Sequence, residues 1–121
     1  MKISILLPYK ENFSPEYPGA VSLFVYETSK ISKFKKTITI FGNTDYKKRF
    51  NLKYVNINLK KNLFSSQTNL YVKKFIELEK NTNSSIIEVH NRPSYIHLIN
   101  SKIKNKILTL YFHNDPLSMD G

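Results

Sequence analysis

Two apolar runs in this chain end in similar polar clusters: Ile86-Ile87-Glu88-Val89 passes into His90-Asn91-Arg92-Pro93, and Ile107-Leu108-Thr109-Leu110-Tyr111-Phe112 passes into His113-Asn114-Asp115-Pro116. A neutral imidazole accepts a hydrogen bond or a proton from a hydroxyl, and its ordinary pKa keeps that role open near pH 7. Arg92 carries a guanidinium suited to two-pronged binding of phosphate or carboxylate, and Asp115 is an alternative partner for it within the chain. Gly19, just after Pro18, starts a helical pattern, where unbonded amides and the positive end of the helix dipole favour an anion. For each of these residues a plain structural role is also open: a turn histidine bonded to local backbone, or a glycine that simply starts a helix.

Other chemistries find less support. The glycine-rich dinucleotide and P-loop signatures need several glycines, and the chain has only Gly19, Gly42 and Gly121. His90, His97, His113 and Asp115 are suitable metal donors, but none are spaced to put two ligands on one helical face, so no metal or other cofactor is expected. No G-x-S-x-G elbow is present for a serine hydrolase.

The elements that must position these residues follow from hydrophobic periodicity. Lys2 to Pro8, Thr37 to Phe41, Lys53 to Ile57, Ser85 to Val89 and Ile107 to Phe112 read as strands. A proline-rich loop spans Tyr9 to Pro18. From Gly19 to about Ser32 a helix is expected, with Ala20, Leu23, Phe24 and Ile31 as its apolar stripe. Ser66 to Asn81 is the clearest helix, with Ser66 or Thr68 as its cap, and Pro93 opens a third running through Ile103. Strands alternating with helices predict an α/β domain over 1–121, a Rossmann-like open parallel sheet with helices on both faces. In such a sheet the carboxyl ends of the strands border the ligand crevice, which is where both histidine clusters fall.

Composition bounds the rest. The 121 residues are 40% hydrophobic and 13% aromatic, enough for one core. There is no cysteine, which excludes disulfides and thiolate chemistry and fits a reducing compartment. No apolar run approaches the roughly 18 residues of a membrane span, and the amino terminus lacks a signal-peptide core, so a cytoplasmic protein is expected. The net charge of +10 invites a nucleic-acid or anionic-membrane reading. All but Arg49 and Arg92 of the 19 basic residues are lysines scattered along the chain, a bias that AT-rich coding produces unaided. Pairs such as Lys35-Lys36, Lys60-Lys61 and Lys73-Lys74 remain available for an anionic surface.

Taken together, the strand ending in Leu7-Pro8, Pro18-Gly19-Ala20 at a helix start, Val89-His90-Asn91-Arg92-Pro93 and Phe112-His113-Asn114-Asp115-Pro116-Leu117-Ser118-Met119 resemble the amino-terminal domain of family 4 retaining glycosyltransferases, nearest the bacterial spore-coat and lipopolysaccharide-type members. The resemblance covers essentially the whole chain, although the family often shows Gly-Gly where this chain has Pro18-Gly19. It implies the GT-B architecture, two Rossmann-like domains that pass a sugar from a nucleotide-sugar donor to a glycan or lipid-linked acceptor without a metal. It implies that His113 is catalytic, near the transferred sugar, and that Gly19, His90, Asn91, Arg92, Asn114 and Asp115 bind substrate. The donor-binding carboxyl-terminal domain is expected as a missing partner beyond Gly121, and the chain alone is expected to be inactive, working peripherally at the inner face of the cell membrane. A basic binding module without catalysis and a degenerate remnant are the competing expectations.

Overall fold

A computed structural model describes residues 1–60 and 66–113. Five strands, β1 (Ile3–Leu6), β2 (Ile38–Gly42), β3 (Tyr54–Asn56), β4 (Ile86–His90) and β5 (Ile107–Tyr111), form one parallel sheet in the order β3-β2-β1-β4-β5. The connecting helices are α1 (Ala20–Lys30), α2 (Gln67–Thr82) and α3 (Pro93–Asn100). This is the expected α/β open parallel sheet. A 3₁₀ turn at Lys35–Thr37 leads into β2.

The period of two in each strand divides the apolar residues between two cores. Ile5, Leu7, Ile38 and Ile40 meet Val21 and Val25 of α1 on one face, joined by Phe13 from the loop after β1. On the other face Leu6, Phe41, Ile87 and Val89 meet Tyr71, Val72, Phe75 and Ile76 of α2 and Tyr95 and Ile99 of α3. Helices therefore cover both faces, as parallel strands require. The cap of α2 is Ser66, whose hydroxyl accepts from the Asn69 amide, and Pro93 occupies the first position of α3.

One detail departs from the sequence pattern. Helix α1 buries Val21, Ser22, Val25 and Ser29, whereas Leu23 is 42% and Ile31 81% exposed. Serine is small enough to be covered between helix and sheet, so a face that reads as half polar is the packed one. The change of face leaves Phe24 half-buried at the margin of α1, beside β4 and β5.

The chain leaves β1 toward α1 and β2 on one side and returns through α2 to β4 on the other, so β1 and β4 flank the point where the connections diverge. Ligands of open α/β sheets bind outside the carboxyl ends of strands at such a point. Two tyrosines hold this end of β1. The Tyr71 hydroxyl donates to the Leu7 carbonyl at 2.6 Å, and the Tyr95 hydroxyl accepts from the Tyr9 amide at 3.0 Å.

Candidate functional site at the carboxyl rim of the sheet

Glu88 and His90 are two residues apart on β4 and point to the same face, the one that carries α1. His90 pairs in register with Tyr111 of β5, which puts His113 just past the end of that strand, on the same side. The two histidines are in contact. Nδ1 of His90 lies 2.7 Å from Nε2 of His113, and Nε2 of His90 lies 2.7 Å from a carboxylate oxygen of Glu88. The result is a carboxylate–imidazole–imidazole chain running from the middle of β4 to the rim. His90 is 1% exposed; His113 is half-buried.

Asn91 explains how His113 is held. It sits at φ 54°, the left-handed conformation that asparagine tolerates better than most residues, and there β4 stops. Its amide donates to the Tyr111 carbonyl at 2.9 Å, and its side-chain oxygen accepts from the His113 amide at 2.8 Å. The side chain thus adds one rung to the β4–β5 ladder and fixes the backbone that carries the second imidazole.

Aromatic rings build the walls. Phe24 meets His113 edge-on with ring centres 4.7 Å apart, and Tyr111 stacks on His90 at 5.3 Å. Tyr111, on the edge strand, is 44% exposed, and His113 beside it is partly exposed. Burial holds the His113 pKa below its ordinary value, a charge on His90 lowers it further, and Glu11 and Glu88 pull the other way. The net lowering favours a neutral imidazole at pH 7.

Gly19 is the N-cap of α1 in ordinary extended geometry, φ −68° and ψ 153°, and supplies no side-chain bond. The anion at this helix start is the chain's own. Glu11, from the loop after β1, places a carboxylate oxygen 2.9 Å from the Ser22 amide, over the spot a Cβ on Gly19 would fill. Arg92 is exposed and donates to the Asn91 carbonyl at 2.8 Å. Asn114 and Asp115 lie outside the described residues.

His97 is exposed on α3, across the sheet from His90, and among the described residues no three His, Cys, Asp or Glu side chains group to hold a metal. The 2.7 Å separation of the two imidazole nitrogens is a hydrogen-bond length. A separate open hollow of about 360 Å³ lies on the same rim toward β2 and β3, lined by Tyr9, Lys10, Asn43, Asp45, Leu59 and Gln67.

Sequence reasoning brought His90 and His113 to one rim and missed Glu88 and Glu11. A lone acid inside an otherwise apolar strand, two residues before a histidine, was the available signal for Glu88. Nothing local marked Glu11, because its partner amide is 11 residues away across a loop. No helix among the described residues is long and apolar enough to cross a membrane. Comparison with protein-family models, with curated proteins and with solved structures finds no match to this chain.

Proposed function

We propose that this chain is the acceptor-side domain of a GT-B glycosyltransferase, in which neutral His113 receives a hydroxyl of the acceptor or of the transferred sugar. The observation that carries the reading is the placement of His113: half-buried at the carboxyl rim of a parallel sheet, with its backbone held by Asn91 and its ring by His90. Where the hydroxyl is the acceptor's, the base takes its proton as the oxygen attacks the anomeric carbon and the bond to the departing nucleoside diphosphate breaks, a contribution worth about 10²- to 10⁴-fold in rate. Phe24 and Tyr111 offer apolar faces to a sugar ring, in keeping with the mixture of aromatic walls and few polar groups common in small-molecule sites. The sugar arrives as a nucleotide-linked donor whose phosphates need cationic or amide partners from the facing domain, since Glu11 already takes the Ser22 amide of α1. Lysine pairs draw the domain to anionic lipid at the inner membrane face, where lipid-linked acceptors lie.

The test is transfer of label from UDP-glucose, UDP-N-acetylglucosamine, UDP-galactose or GDP-mannose to lipid and glycan acceptors extracted from the source cells, using the gene product at its natural length. Labelled product with any donor supports the reading. No transfer from all four, with the protein folded, contradicts it.

A further inference from the structure

The hydrogen bonds behind His113 decide which of its nitrogens is available. A carboxylate accepts and does not donate, so the proton in the 2.7 Å contact between Glu88 and His90 belongs to Nε2 of His90. A neutral imidazole bears one N–H, which leaves a lone pair on Nδ1 of His90. That lone pair faces Nε2 of His113 at 2.7 Å, and a contact this short needs a proton between the two nitrogens. With His90 neutral, the proton then sits on Nε2 of His113 and the lone pair of that ring on Nδ1. Among the described residues no group bonds that nitrogen.

We propose that Glu88 is a positioning residue: through the tautomer of His90 it makes Nδ1 of His113 the proton-accepting atom at the rim. This rests on the reading of His113 as the group that meets the substrate hydroxyl. The same chain gives the accepted proton a place to go. When Nδ1 of His113 takes a proton from a hydroxyl, the Nε2 proton of that ring passes to Nδ1 of His90. His90 is then the imidazolium, donating from Nε2 to Glu88, and one proton has been gained by the pair. The positive charge comes to rest on buried His90, against a carboxylate, instead of at the rim. The charged groups facing the pair are Glu88 on β4 and Glu11 on the loop after β1.

The arrangement is read by long-range proton–nitrogen NMR of the histidine side chains in the chain as it stands, at a pH where both rings are neutral. The expected spectrum has His90 and His113 both protonated at Nε2. A His90 ring protonated at Nδ1 would overturn the proposal. Glu88→Ala removes the acceptor, and His113 is then expected to show a mixture of tautomers; an unchanged Nε2–H tautomer in that variant would also overturn it. The kinetic readout uses the natural-length gene product. In Glu88→Ala kcat is expected to fall at least about tenfold with KM little changed, because the base loses its fixed tautomer while the binding surface stays. Glu88→Gln keeps an amide oxygen that accepts from Nε2 of His90 and is expected to restore the Nε2–H tautomer and part of kcat. Unchanged kcat in a folded Glu88→Ala protein refutes the positioning role. Expected tautomers without any sugar transfer would leave the Glu88 chain standing and remove the transferase reading, so the two failures are distinguishable.

Discussion

Glu11 and Gly19 should behave as one unit, and a double-mutant cycle measures whether they do. The backbone at Gly19 is extended and open to any residue, so glycine is required there for space: a Cβ would run into the Glu11 carboxylate. Glu11→Ala removes the acceptor 2.9 Å from the Ser22 amide, one of the unbonded donors of the first turn of α1. Losing a cap of this kind costs about 1–2 kcal/mol. Gly19→Ala expels the same carboxylate and puts a poorer residue at the N-cap, for a total of about 1.5–3 kcal/mol. Once either change is made, the bond is already gone. Adding Glu11→Ala to Gly19→Ala should therefore cost less than about 0.5 kcal/mol, giving a coupling of about 0.5–2 kcal/mol. Urea unfolding followed by far-ultraviolet circular dichroism, with a constant slope across the four proteins, gives the four stabilities. Full additivity would refute the argument, since it would mean that Glu11 does not occupy the space over Gly19. A second readout links the pair to the rim: Glu11 raises the His113 pKa, so both single variants should move it further below its ordinary value.

Three further outcomes follow from the same contacts. Asn91→Ala loses the bond to the His113 amide and forces alanine into a left-handed conformation, so thermal unfolding should show a loss of about 2 kcal/mol and the His113 ring resonances should shift; an unshifted ring would contradict the role given to Asn91. Because the folded His113 binds its proton less readily than the unfolded chain does, its contribution to stability is whole above about pH 6.5 and is lost as the pH falls from there through the lowered folded value; His113→Gln should flatten that part of a stability-against-pH curve, and an unchanged slope would count against the lowered pKa. Tyr71→Phe strands the buried Leu7 carbonyl and should cost about 1–3 kcal/mol in urea unfolding, whereas a neutral result would mean that water replaces the hydroxyl.

The parallel sheet was legible because β1, β2 and β4 are nearly continuous apolar runs, a pattern that only strands covered on both faces can use. Pro93 and Ser66 marked their helix starts through local chemistry. The packed face of α1 was not legible: Ser22 and Ser29 are polar by type and yet buried with Val21 and Val25 on the face that meets the sheet. The contact of His90 with His113 follows from a register between β4 and β5 that no local pattern fixes, although the repeated histidine-asparagine ending pointed to it. Asn91 shows why that ending carries information. Its left-handed backbone stops the strand and its side chain captures the next strand's end, two jobs that one asparagine does and a hydrophobic residue cannot. Glu88 was hidden inside a run read as apolar, and its meaning appears only when His90 lies beside it on the same face.

The central claim is that His113 meets the reacting hydroxyl. It is tested most directly by comparing sugar transfer by the natural-length gene product with that of its His113→Ala variant. His113 sits half-buried at a strand end, its ring meeting Phe24 edge-on, lying beside Tyr111 and bonding Nδ1 of His90, so the variant should lose about 1–3 kcal/mol of stability. Its kcat for sugar transfer should fall about 10²- to 10⁴-fold. A folded His113→Ala protein that turns over at the wild-type rate would contradict the account.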